Sequence, residues 1–147
     1  VGQQKKLMML ERPNKIYRNQ RRSFARVPVG LPIHVLISDK TLKKIFVIRA
    51  ETRNLSGGGV LINTDKAGLF SIDKYISLHF KFRMNEQVHA VSCKAEIVDF
   101  RKDQDISQNA KVALKFLNIQ DRDRLRLIQF LYMQEIELHK KFSDGKI

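Results

Sequence analysis

Residues 76–82 read Ile-Ser-Leu-His-Phe-Lys-Phe, four apolar side chains alternating with three polar ones. A strand turns successive side chains to opposite faces, so a strict period of two describes a strand with one face in a core and the other in water. Downstream, Val91, Cys93, Ala95 and Ile97 alternate against Ser92, Lys94 and Glu96. Upstream, Ile33, Val35 and Ile37 alternate, and so do Phe46, Ile48 and Ala50 in a run that ends at Asn54. Residues 59–64 form a compact apolar strand, and residues 111–116 set Val112, Leu114 and Phe116 on one side. Six such segments with turn residues between them predict an all-β core, a six-stranded antiparallel barrel or sandwich. Closure into a barrel would remove exposed strand edges.

The pattern then changes. Between Asp121 and Lys141, Leu125, Ile128, Leu131, Tyr132 and Ile136 recur at helical spacing. This predicts a C-terminal helix that packs that stripe on the barrel or on a partner. Asn118 or Asp121 is placed to cap its start, Lys140 and Lys141 suit its end, and Gly145 lies just beyond.

A chain of 147 residues is long enough for one domain with a real core plus a tail. Its formal net charge of +13 favours anionic partners: nucleic acid, nucleotides, an acidic membrane surface or an acidic protein. The charge is concentrated. Residues 1–26 carry eight basic side chains (Lys5, Lys6, Arg12, Lys15, Arg18, Arg21, Arg22, Arg26) against Glu11 alone, a net +7 that leaves +6 for the rest. Residues 1–19 read as a basic arm or interdomain linker, and residues 20–147 as the barrel domain with its helix.

Several classes drop out. The single cysteine, Cys93, excludes an intrachain disulfide and fits a reducing compartment, so a cytoplasmic protein is expected. Its place in an alternating strand marks it as a small buried hydrophobe rather than a nucleophile. No apolar run approaches the roughly 18–20 residues of a membrane span. His79 and His89 fall on neighbouring predicted strands, but no third ligand accompanies them and no metal site is expected. No carboxylate pair, Walker-type loop or nucleophile elbow is present, and no enzyme is expected.

Two features remain. Gln20-Arg21-Arg22-Ser23-Phe24-Ala25-Arg26-Val27-Pro28 packs three arginines into six positions. The Arg-x-x-x-Arg spacing alone says little, since Arg18/Arg22, Arg49/Arg53 and Arg122/Arg126 share it with Arg22/Arg26. Arg49/Arg53 would lie on one side of a strand, and Arg122/Arg126 on a solvated helix face. The second feature is Asn54-Leu55-Ser56-Gly57-Gly58-Gly59 between two predicted strands. Glycines are common in strand-connecting turns. Three in succession also let a ligand approach backbone N–H groups, with Asn54 and Ser56 offering short polar side chains.

Taken together, Arg22-x-x-x-Arg26 and Asn54-x-Ser56-x-x-Gly59, separated by two strands, resemble the bipartite signature of PilZ domains. The resemblance covers residues 18–141 and extends to the architecture, a six-stranded antiparallel barrel with a C-terminal helix. It implies a non-catalytic bacterial receptor for cyclic di-GMP. Arg22 and Arg26 would grip guanine and phosphate, and Asn54, Ser56, Gly57, Gly58 and Gly59 would form the barrel-side wall. The chemistry suits a ligand with two guanines and two phosphates: a guanidinium forks onto guanine O6 and N7, stacks on a base, or holds a phosphate bidentately. In this family an arginine at the position of Arg21 accompanies an intercalated ligand pair, so two ligands per domain are expected. Phe24 is read as covering the barrel end once the loop closes, with base stacking as the alternative. Pro28 and Pro32 keep the entry segment extended.

Residues 1–19, with the stretch Met9-Leu10-Glu11-Arg12-Pro13-Asn14-Lys15-Ile16-Tyr17-Arg18-Asn19-Gln20-Arg21-Arg22, also resemble the domain junction of flagellar-brake-type members. That implies motility control, a partner such as a flagellar motor component or an adjoining N-terminal domain, and a missing upstream domain. The alternatives are a basic barrel that binds single-stranded nucleic acid, and a PilZ-like protein-interaction module without ligand.

Overall fold

The computed structural model describes residues 24–39, 41, 43–71 and 74–145. The basic arm of residues 1–19 and the arginines Arg21 and Arg22 lie outside the described residues.

Among the described residues seven strands and one α-helix follow in order, with a 3-10 turn at Ala67–Leu69: β1 (Val27–Pro28), β2 (Pro32–Ser38), β3 (Ile45–Leu55), β4 (Gly59–Thr64), β5 (Tyr75–Met84), β6 (Gln87–Lys102), β7 (Ala110–Phe116) and α1 (Asp121–Gly145). The six long strands pair antiparallel in the order β3-β2-β5-β6-β7-β4, and β4 pairs back onto β3. That last pairing closes the barrel and leaves the six no free edge. The two-residue β1, which the sequence did not announce, attaches to β3 near the latter's end.

The inward positions are those of the alternating pattern. Ile33, Val35 and Ile37 of β2, Ile76, Leu78, Phe80 and Phe82 of β5, and Val112, Leu114 and Phe116 of β7 are all buried. Phe46 departs from the pattern and is largely exposed. The β5–β6 hairpin turns through Asn85 and Glu86, both at positive φ (53° and 63°), as a two-residue turn with strand-matched twist requires. That turn pairs Met84 with Gln87 and so fixes the register. The register puts His79 opposite Ser92 and His89 opposite Phe82, so His79 and His89 do not meet. His79 instead neighbours His34 of β2 and bonds Ser92 (Nδ1 to Oγ, 2.7 Å). Among the described residues no group of three or more metal-ligating side chains occurs.

Helix α1 forms as expected, but with its stripe turned. Leu127, Phe130 and Leu131 are buried and Ile128 is half-buried, whereas Leu125 (57% exposed), Tyr132 (64%) and Ile136 (40%) face outward. The helix carries apolar residues on two sides, so periodicity alone cannot say which side is inner. Packing decides it: the Phe130 ring lies 4.7 Å from that of Phe82 on β5. Asn118 is not the cap, because its side-chain oxygen accepts from the backbone N–H of Lys94 at 2.7 Å and ties β6 to the segment before α1. No described helix is long and apolar enough to cross a membrane.

Candidate ligand-binding surface

The end of β3 is shaped by a bulge. Thr52 pairs with Ile62 and Asn54 with Leu61, so Arg53 is an extra residue. Without it Asn54 would follow Thr52 into the core; with it the next inward side chain is Leu55, and Asn54 stays half-exposed. A single inserted residue thus turns both Asn54 and Ser56 away from the interior.

Buried Thr52 then fastens the chain that precedes β2. Its hydroxyl donates to the Val29 carbonyl (2.6 Å) and accepts from the Leu31 N–H (2.8 Å). The Thr52 N–H donates to the Leu31 carbonyl (3.0 Å). Held this way, β1 pairs Val27 with Leu55 and Pro28 with Asn54. The ladder ends there, with Arg26 and Ser56 the next residue beyond it on each side. Two sequence features separated by twenty-seven residues therefore meet along one short ladder.

Within the loop the Ser56 hydroxyl accepts from the Gly58 and Gly59 N–H groups (3.1 Å each) and approaches the Gly59 carbonyl (3.3 Å), which also accepts from the Ser56 N–H (3.0 Å). The Gly58 carbonyl accepts from the Phe116 N–H at 2.9 Å. Ser56 thus folds the loop, and a ligand reaching the Gly58 and Gly59 N–H groups must compete with its hydroxyl. Arg26 is exposed, and among the described residues no hydrogen bond or ion pair engages its guanidinium. Lys115, exposed on β7 and paired with Gly59, adds another positive charge beside the loop.

Gly57 and Gly59 have a packing reason. A Cβ on Gly59 would stand 2.4 Å from the Leu114 carbonyl oxygen, and one on Gly57 would stand 2.9 Å from both Ile128 Cγ1 and Phe24 Cδ1. No described glycine has a positive φ, so close approach rather than conformational freedom is what they supply. Phe24 lies against Gly57 and Gly58. Arg124, which sequence reasoning passed over, donates from Nε to the Gly57 carbonyl (3.0 Å) and lies over the Phe24 ring (5.3 Å to its centroid). It was legible only with the correct helix phase. Positions 124, 127, 128 and 131 make one i, i+3, i+4, i+7 face, and an arginine on a helix's inner face calls for a partner.

Cys93 is buried (7% exposed), and desolvation pushes its thiol from 9.0 up to about 11, with Arg124 pulling it down and Asp123 raising it. Between these two values the unfolded thiol ionises while the folded one stays protonated. The contribution to stability is therefore complete below pH 9.0 and is lost as pH rises through about 11. In denaturation at pH 8 to 11, wild type should lose more stability than Cys93→Ala; equal losses would contradict the assignment. An open depression of about 440 Å³, lined by Arg49, Glu51, Asn63 and Asp65 among others, touches none of the signature residues. The candidate site is an outer surface beside a strand end rather than a cavity.

A closed six-stranded antiparallel barrel with a C-terminal helix packed on it defines a small β-barrel domain. Residues 20–133 match the PilZ domain, and the chain belongs to that family. PilZ domains are non-catalytic and are generally receptors for cyclic di-GMP. Among solved structures, it resembles the inhibitor of motility MotI/DgrA of Bacillus subtilis (TM-score 0.64, 21% identity), covering 80% of this chain and 53% of that one. It also resembles the PilZ domain of YcgR from Escherichia coli with c-di-GMP (TM-score 0.58, 17% identity), covering 84% of this chain and 98% of that one. This chain spans only about half the length of the Bacillus protein. No curated protein sequence matches it.

Proposed function

We propose that the chain is a cyclic di-GMP receptor. Arg22 and Arg26 grip the ligand, Arg21 assists, and Asn54, Ser56 and the glycines 57 to 59 form the wall against which it lies. The observation that supports this best is the β1–β3 ladder, which sets Arg26 beside the Asn54-x-Ser56 strand end with an unengaged guanidinium among the described residues. Two ligands bind per domain, because Arg21 adds a cation that offsets repulsion between two dianions. Ligand engagement changes how the arginine segment lies on the barrel, and a partner protein or adjoining domain reads the change. That partner belongs to motility control in the cytoplasm. The junction-like sequence of residues 9–22 supports this, alongside structural similarity to an inhibitor of motility.

Calorimetric titration of cyclic di-GMP tests the reading. Saturation at two ligands per chain is expected; saturation at one would remove Arg21 from its role, and no binding would remove the reading. Ionic strength separates a compact ligand from nucleic acid. A single strand loses affinity with a log–log slope of about −0.7 per neutralised phosphate, so an extended oligonucleotide falls steeply and a dinucleotide gently.

A further inference from the structure

We infer that Arg124 is a positioning residue for the ligand loop, one that ties this loop and the arginine segment to α1; the inference rests on the cyclic di-GMP reading above. Three contacts converge on one spot. The Arg124 Nε donates to the Gly57 carbonyl at 3.0 Å. Its guanidinium carbon lies 5.3 Å from the centre of the Phe24 ring. The space beside Gly57 is filled by Phe24 and Ile128, each with a carbon 2.9 Å from where a Cβ would stand. Phe24 is therefore wedged between Gly57 and Gly58 of the loop on one side and α1 on the other.

Its place in the sequence gives the wedge its meaning. Phe24 lies two residues from Arg22 and two from Arg26, and two residues of chain span at most about 7 Å. Neither arginine can settle on a ligand without constraining where the ring sits. The guanidinium uses its edge on a carbonyl and its face on an aromatic ring, which a lysine ammonium cannot do together. Arg124 holds Phe24 as a fixed pivot, so that both flanking arginines reach the site from a defined position. Occupation of the site in turn tightens the first two turns of α1.

The experiment titrates cyclic di-GMP into wild type, Arg124→Ala, Arg124→Lys and Phe24→Leu, and follows amide hydrogen exchange at residues 125–131 with and without ligand. Both Arg124 variants are expected to bind about tenfold more weakly, the scale of one charge-assisted hydrogen bond. In wild type the ligand should slow exchange in that stretch; in the Arg124 variants and in Phe24→Leu this slowing should vanish. A purely structural role would lower the unfolding midpoint yet leave the ligand-induced slowing intact. Wild-type affinity in Arg124→Lys, or slowing that survives in the variants, overturns the inference while leaving the receptor reading in place. Absence of binding in wild type overturns both. If Arg124→Ala does not fold, Arg124→Lys and Phe24→Leu decide the matter by the same readouts.

Discussion

Arg26→Ala is expected to weaken cyclic di-GMP binding about hundredfold while shifting the unfolding midpoint by no more than roughly 2 °C. The separation of the two effects follows from the side chain's situation. Arg26 is exposed, and no described hydrogen bond or ion pair depends on it, so removing it is a surface substitution. A guanidinium that forks onto a phosphate or a guanine edge makes two charge-assisted bonds, and losing both corresponds to about 3 kcal/mol, or two decades of affinity. Arg26→Lys should recover little, because an ammonium cannot make the planar fork. Arg22→Ala should match Arg26→Ala in calorimetry. Undiminished binding in both variants would move the site elsewhere on the molecule.

Gly59→Ala is expected to cost about 3 kcal/mol of stability, which for a chain of this size lowers the unfolding midpoint by roughly 10 °C. The added methyl would meet the Leu114 carbonyl oxygen at 2.4 Å, and that atom belongs to a strand paired on both sides. Relief requires prising β4 from β7, the pairing next to the one that closes the barrel. Gly58→Ala makes the contrast. Its methyl meets only the edge of the Phe24 ring, at 3.1 Å, and no backbone atom; a shift of a few tenths of an ångström relieves it without releasing the ring, so a change of about 1 kcal/mol or less is expected. Thermal unfolding of the two variants side by side checks the difference, and equal midpoints would refute the account.

Ile76 to Phe82 announced a half-buried strand because a barrel wall has one wet and one dry face, and the same logic located all six long strands. The closing pair was less visible, since β3 and β4 declare their faces but not their partners. Two residues are too few to show a period, which is why β1 was silent although it brings the Arg26 end of its segment to the end of β3. Helix α1 was visible as a helix, yet its phase was not, because Leu125, Tyr132 and Ile136 are as apolar as Leu127, Phe130 and Leu131. With the phase went Arg124. The glycine run was legible as unusual, but its cause was not: Phe24, Ile128 and the Leu114 carbonyl come from three distant parts of the chain.

The buried thiol of Cys93 offers a clock. It is the chain's single sulfhydryl, its ionisation is suppressed, and the charges of Asp123 and Arg124 reach it from the first turn of α1. A thiol-reactive dye at neutral pH can modify it only in the brief intervals when the barrel wall or the helix packed on it opens and lets water in. The labelling rate in the native protein therefore counts how often this part of the fold opens. A dinucleotide that steadied the loop would slow the count, and a protein that drew the helix away would quicken it. One colour change could thus distinguish input from output without either partner being labelled.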